Sequence, residues 1–234
     1  MKKVKEIELK FQVLDKLQLE KFLENLKFLK KVRIKDIYFD TKDANLYKRG
    51  IFIRIRNGNK LQIKFNPSDV LNQNEVSIHE ICSEYSFELS LSKDDVNKLN
   101  TIFRFLNLKQ ISTPSIDELK KINSLIDSII IDKERKVFTN GKFLIVVDNV
   151  KELGTFIEIE AKVEKNENIN INTIKNEMLK IIESLRLKKI TTGYNELWWR
   201  KYNFEIYLQG RYLLEEDYKK WKKSESKKHN FHSF

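Results

Sequence analysis

Glu6-Ile7-Glu8-Leu9-Lys10-Phe11 decides how the chain is read. In an extended strand successive side chains point to opposite faces. Glu6, Glu8 and Lys10 therefore share one face, and Ile7, Leu9 and Phe11 the other. A half-buried strand with a mixed polar face explains this stretch alone. The same pattern returns late in the chain as Glu158-Ile159-Glu160-Ala161-Lys162-Val163. Between them, Arg54-Ile55-Arg56 and Gln62-Ile63-Lys64 carry cations at the same period of two. Strands that are apolar on one side and charged on the other build a barrel with a charged lumen. Carboxylates in a lumen hold hard cations through oxygen, and arginine and lysine hold phosphates. Both kinds of charge together suit a metal-bound polyphosphate.

Composition agrees with a folded domain that meets polyanions. The chain has 234 residues, 41% hydrophobic and 34% charged, with 45 Lys+Arg against 34 Asp+Glu and a net charge of +11. That length suits one sizeable domain, or a domain with a helical extension. A basic excess suits nucleic acid, nucleotide, polyphosphate or an acidic membrane surface alike. Part of it is local: Lys219, Lys220, Lys222, Lys223, Lys227 and Lys228 crowd the last stretch, which reads first as a solvated end and only second as a nucleic-acid or membrane tail. Cys82 is the one cysteine, and His79, His229 and His232 do not cluster by spacing. An intrachain disulfide and a cysteine-based zinc site are thereby excluded. No signal peptide and no membrane-spanning run is read, so the expected compartment is the cytoplasm.

Taken in order, 4–13 reads as a strand. Asp15 caps a helix over 16–29, with Leu19, Phe22, Leu23, Leu26 and Leu29 as its stripe. Residues 31–40 are extended, and Asp40 or Thr41 caps a short turn through 42–48. Strands 51–56 and 60–65 flank Asn57-Gly58, a two-residue hairpin signal; the hairpin's charged face reads as purely cationic. Pro67 to Asn74 is a loop, 75–82 a strand, and 84–90 irregular or extended. Ser92 and Ser115 cap helices over 93–107 and 116–126. Residues 128–138 form a strand with Lys133 and Arg135 in alternation, Asn140-Gly141 a second hairpin turn, and 142–148 its return. A strand follows over 155–163, then helices over 173–186, 194–208 and 212–222, with 224–234 frayed. The aromatics Tyr194, Trp198, Trp199, Tyr202, Phe204 and Tyr207 mark 194–208 as core or interface, either a homodimer face or a plug for one end of the barrel. The expected fold is α+β: a closed eight-stranded antiparallel barrel with helices packed outside.

These blocks together resemble the CYTH superfamily, the triphosphate tunnel metalloenzymes. The superfamily includes class IV adenylate cyclases, thiamine triphosphatases and inorganic triphosphatases. Glu6, Glu8 and Lys10 match its N-terminal Glu-x-Glu-x-Lys signature. Tyr38-Phe39-Asp40-Thr41, Leu46, Gly50 and Ile53-Arg54-Ile55-Arg56 resemble its second block, and Lys64 and Arg135 match its strand cations. Val147-Asp148-Asn149-Val150, Leu153-Gly154, Phe156 and Glu158-Ile159-Glu160 match its closing block. Gly193-Tyr194-Asn195-Glu196-Leu197 resembles a C-terminal Ser-Tyr-x-x-Leu element, with Gly for Ser. The chain departs at Ile78-His79-Glu80-Ile81-Cys82, where members often carry Arg-x-Glu-x-Glu. The resemblance implies a tunnel domain over 1–204, with a helical insert about 107–127, and a lysine-rich helical extension over 205–234.

It also implies the site. Lys10, Arg54, Arg56, Lys64, Arg135 and Lys162 would clamp phosphate. Glu158 and Glu160, assisted by Asp148 and with Glu80 as a further ligand, would hold Mg²⁺ or Mn²⁺. Glu6 and Glu8 would hold metal or orient the attacking water. The implied reaction is hydrolysis of a small-molecule triphosphate, inorganic tripolyphosphate before others. Class IV adenylate cyclase and thiamine triphosphatase are the alternatives, the latter wanting an aromatic platform such as Phe52 or a tryptophan. A non-enzymatic binder of polyphosphate or RNA gains nothing from the paired carboxylates.

Overall fold

A computed structural model describes residues 4–71, 83–164 and 170–220. In chain order the first elements are β1 (Val4–Val13), α1 (Lys16–Leu23), β2 (Lys27–Asp40), α2 (Asn45–Lys48), β3 (Ile51–Arg56), β4 (Lys60–Phe65) and α3 (Pro67–Leu71). There follow β5 (Ser83–Glu88), α4 (Lys93–Phe105), α5 (Ile116–Ile122), β6 (Ile126–Thr139), β7 (Leu144–Val150) and β8 (Gly154–Glu164). The chain closes with α6 (Ile171–Ile181), β9 (Leu187–Ile190), α7 (Tyr194–Tyr202) and α8 (Phe204–Leu208). The fold is α+β; among the described residues nine strands follow the order β5-β4-β3-β2-β6-β7-β8-β1-β9. Among the described residues no helix is long and apolar enough to cross a membrane. The strand expected over 75–82 lies outside the described residues.

Two compact units divide the chain: Met1–Ile34 with Asp132–Ile190, and Lys35–Ile131 with Thr191–Phe234. In the first unit, the alternation of β1 and β8 sends Ile7, Phe11, Ile157, Ile159 and Ala161 into a core with Ile145 and Val147 of β7. Leu19 of α1 and Met178 of α6 cover that face. Each of the larger side chains, Ala161 aside, contributes about 1.5–3 kcal/mol when removed from water. The opposite face is left to charged residues. In the second unit, Ile51, Ile53, Leu61, Ile63 and Phe65 of the β3–β4 hairpin pack against Val96, Leu99, Ile102 and Phe103 of α4 and Leu119 of α5. Here too the other strand face carries the charges.

Local signals account for most element ends. Asp15 caps α1 by accepting from the Leu17 and Gln18 amides. Asp40 accepts from the amides of Thr41, Leu46 and Tyr47, which anchors α2. Asn57 and Gly58 both adopt positive φ, 52° and 72°, but Arg56 pairs with Lys60, so the loop holds three residues rather than the expected two. At Asn140-Gly141 the turn is wider than expected. β6 ends at Thr139 and β7 starts at Leu144, and Asn140 Oδ1 accepts from the Lys142 and Phe143 amides.

Other expectations need correction. Among the described residues the sheet has nine strands rather than eight, one of them Leu187–Ile190, which pairs antiparallel with Lys10–Val13. The helix expected to reach residue 29 stops at Leu23. Its stripe continues in sequence, but 27–40 is strand, held in the first unit by Lys31–Glu134 and Arg33–Asp132 ion pairs, each 2.7 Å. Tertiary pairing overrides helical periodicity there. The helix expected over 173–186 ends at Ile181. The helix over 194–208 is two, because Asn203 leaves helical geometry and its side chain caps the Ile206 amide. The helix expected over 212–222 is described only at 215–220.

Candidate active site

Register builds the first unit's charged face. Lys10 of β1 stands directly opposite Glu158 of β8, Glu8 opposite Glu160, and Glu6 opposite Lys162. On the other side of β8, Glu158 faces Val146 and Glu160 faces Leu144, while Asp148 of β7 faces Arg135 of β6. Directly opposed residues project to the same face, so the two Glu-x-Glu-x-Lys segments lie side by side with their charges together. The side chains of Glu6 and Lys162 lie outside the described residues; only their strand positions are given.

Contacts follow from that register. Glu158 sits 3.0 Å from Lys10 through one carboxylate oxygen and 2.6 Å from Arg135 through the other. Arg135 forks onto Asp148 at 2.7 and 2.6 Å. Lys133 reaches Asp148 at 2.5 Å. Lys10 is also 3.5 Å from Glu8. Burial alone would raise the Glu158 and Asp148 carboxyls; Lys10 then Arg135 on Glu158, and Arg135 then Lys133 on Asp148, more than reverse it and hold both below the usual range. Burial likewise works to lower the Lys10 ammonium, but Glu158 and then Glu8 raise it. Both members of the Lys10–Glu158 pair therefore stay charged at neutral pH.

Glu8, Glu158 and Glu160 bring one carboxylate oxygen each within 4.8 Å of one another. Three hard oxygen donors at that spacing fit a Mg²⁺ or Mn²⁺ ion. Asp148 is not in that group; Arg135 and Lys133 occupy its oxygens. Glu80 lies outside the described residues, as do His79, His229, His232, Cys82 and the lysines beyond Lys220.

The second unit carries a cationic face on β3 and β4. Arg56 forks onto Asp36 at 2.8 and 2.9 Å. Arg54 reaches Gln62 at 3.0 Å, the Tyr38 hydroxyl at 2.9 Å and Asp36 at 3.3 Å. Lys64 stands opposite Phe52 and Glu84. The face is thus not purely cationic: Asp36 on β2, only 2% exposed, supplies an anion between the two arginines. Asp36 has no place in the sequence reading, although it alternates with Tyr38; Lys133 is read there in alternation with Arg135 but without a role at the site.

The C-terminal aromatics close around the start of β3 within this unit. The Phe52 ring lies 6.1 Å from that of Tyr212, whose hydroxyl donates to Asp69 at 2.6 Å. Trp199 packs against Tyr47 at 5.6 Å, and Trp198 against Trp199 and Tyr202. These rings are engaged with one another rather than offered as an open platform. Trp221 lies outside the described residues.

The CYTH domain family matches residues 4–194. No curated protein matches the chain in sequence. Among solved structures, it is similar to HpAC1 of Hippeastrum, which carries an adenylyl cyclase's name and a dominant triphosphatase activity. The identity is 16% over 86% of this chain and 99% of that one, with a TM-score of 0.54. PH1819 of Pyrococcus horikoshii is 24% identical over 84% of this chain and 99% of its own, with a TM-score of 0.49. At 16% identity the likeness to HpAC1 is one of fold.

Proposed function

The chain belongs to the CYTH family, and from that premise we propose that it hydrolyses inorganic tripolyphosphate to pyrophosphate and phosphate with a divalent metal. The observation that carries the proposal is the carboxylate trio Glu8, Glu158 and Glu160 on the strand face that also holds Lys10 and Arg135. A pure polyanion binder would not set three carboxylates beside its cations. The tunnel that the family resemblance implies is part of this reading.

In this reading Glu8, Glu158 and Glu160 hold Mg²⁺ or Mn²⁺. The bound ion supplies neutralisation of phosphate charge and polarisation of the phosphoryl oxygens. Lys10 and Arg135 bind phosphate oxygens; Arg54, Arg56 and Lys64 are the cations to which the family resemblance gives the same role. Lys162 joins them by its strand position. Fixed cations stabilise the charge that develops on the transferred phosphoryl group without reorganising. Asp148 and Asp36 act through the arginines they fork, fixing guanidinium orientation. Glu8, the most exposed of the trio at 41%, or Glu6 beside it on β1, orients the attacking water.

Tripolyphosphate is preferred over a nucleotide or thiamine ester because Phe52, Trp198 and Trp199 are engaged by other rings. The same fold in HpAC1 accommodates a dominant triphosphatase activity. The test is incubation with tripolyphosphate, ATP and thiamine triphosphate, each with Mg²⁺ and with Mn²⁺, followed by product separation. Phosphate and pyrophosphate from tripolyphosphate support the proposal. Cyclic AMP and pyrophosphate from ATP would reassign the protein as a cyclase.

A further inference from the structure

We propose that the divalent cation and the polyphosphate bind with positive cooperativity, because the carboxylates that would hold the ion are the ones that hold Lys10 and Arg135. The inference rests on the function proposed above and concerns how that site is loaded. One Glu158 oxygen lies 3.0 Å from Lys10 and the other 2.6 Å from Arg135. Lys10 is also 3.5 Å from Glu8. Glu158 and Glu8, the carboxylates paired with Lys10 here, both belong to the trio suited to an ion. The Glu158 side chain is 4% exposed, so its charge is balanced by these cations and hardly by water. Arg135 is shared with Asp148, which Lys133 also holds.

An ion ligated by Glu8 and Glu158 draws negative charge away from the Lys10 and Arg135 pairs together. Weakening a buried pair is costly unless another charge replaces it. Phosphate oxygens are that replacement. Conversely, a polyphosphate that takes Lys10 and Arg135 frees Glu158 for the ion. Each ligand thus prepares the site for the other, and such coupling is reciprocal by thermodynamic necessity. It adds to any direct contact between ion and phosphate.

The test measures Mn²⁺ affinity by the electron paramagnetic resonance signal of free Mn²⁺. Measurements are made with and without bis(methylene)triphosphate, which resists hydrolysis, correcting for Mn²⁺ bound by the analogue in solution. Wild type is compared with Lys10→Met and with Lys10→Gln, the second variant guarding against a folding defect in the first. A simple through-space repulsion by Lys10 would change Mn²⁺ affinity equally with and without the analogue. Competition for Glu158 acts only in its absence. We expect Lys10→Met to bind Mn²⁺ more tightly alone, and the enhancement by the analogue to fall about tenfold from its wild-type value, within the usual range of site–site coupling. Equal enhancement in wild type and both variants, with the analogue still bound, overturns the inference and leaves the proposed function standing. No binding of the analogue to wild type, with or without Mn²⁺, overturns both.

Discussion

Lys10 and Glu158 stand directly opposite each other on β1 and β8, and their charged atoms meet at 3.0 Å. The pair joins the first strand of the chain to its last long one. A buried ion pair is weak evidence for stability, since desolvation offsets much of the attraction. Its presence beside Glu8, Glu160 and Arg135 is better explained by chemistry at the site, and the variants below separate residues that hold the ion from residues that hold other side chains.

Asp36 is such a positioning residue. It accepts two hydrogen bonds from Arg56 and one from Arg54. Asp36→Asn removes the counter-charge between two guanidinium groups. The expected result is a folded protein whose tripolyphosphate affinity falls about tenfold, or about 1.4 kcal/mol, as the arginines lose their fixed orientation. Calorimetry with the methylene analogue reads the affinity, and circular dichroism the fold. Unchanged affinity would remove Asp36 from the account.

Asp148 and Glu160 should part company. Asp148 is fully buried and holds Arg135 and Lys133, so Asp148→Asn should cost about 3–5 kcal/mol of stability, as for other broken buried pairs. Glu160 is half-buried, and Glu160→Gln should leave the urea midpoint nearly unchanged. Mn²⁺ affinity should reverse the order: retained within a few-fold in Asp148→Asn, lost in Glu160→Gln. A larger loss of Mn²⁺ affinity in Asp148→Asn than in Glu160→Gln would assign Asp148 to the ion.

A pH dependence is expected at Glu118 on α5. Glu118 accepts from the amides and hydroxyls of Ser112 and Thr113, and these bonds lower its carboxyl from the usual 4.5 to about 2. A depressed carboxyl contributes stability that is present above the unfolded value and disappears as pH falls through the folded one. Glu118→Gln should therefore melt below wild type at pH 7. The gap should shrink between pH 4.5 and 2 and vanish at the acid end. A gap independent of pH would show that the carboxylate's charge is irrelevant there.

Packing of the C-terminal segment is tested at Gly210. A Cβ there would lie 2.4 Å from the Tyr47 ring and hydroxyl, and Tyr47 donates to the Tyr207 carbonyl. Gly210→Ala should destabilise by about 1–3 kcal/mol, as overpacking does. Gly58→Ala meets nothing within 4 Å and is strained only by its φ of +72°, at a cost of about 1 kcal/mol. Urea denaturation compares them. A Gly210→Ala midpoint above that of Gly58→Ala would contradict the close contact.

Strand alternation made much of this site legible. Glu8, Lys10, Arg135, Glu158 and Glu160 are visible because a period of two survives without knowledge of the partner strand, and register brings them together; Asp148, at a strand end, enters only through the family resemblance. Asp36 is not legible because its role appears only when Arg54 and Arg56 arrive from β3. Lys133 was seen in alternation, but its burial against Asp148 depends on β7. β9 was hidden because Leu187-Lys188-Lys189-Ile190 has too few residues to display a period. Periodicity predicts too long an α1 because Leu26 and Leu29 continue its stripe into what pairing makes a strand.

The most direct test of the central claim is phosphate and pyrophosphate release from tripolyphosphate by wild type and Glu160→Gln, with Mg²⁺, with Mn²⁺ and with chelator. The account predicts release by wild type only with a divalent ion, abolished by chelator and lowered at least about a hundredfold in Glu160→Gln, the scale of losing one transition-state charge contact. Equal metal-dependent release by Glu160→Gln, or wild-type release that persists in chelator, would contradict it.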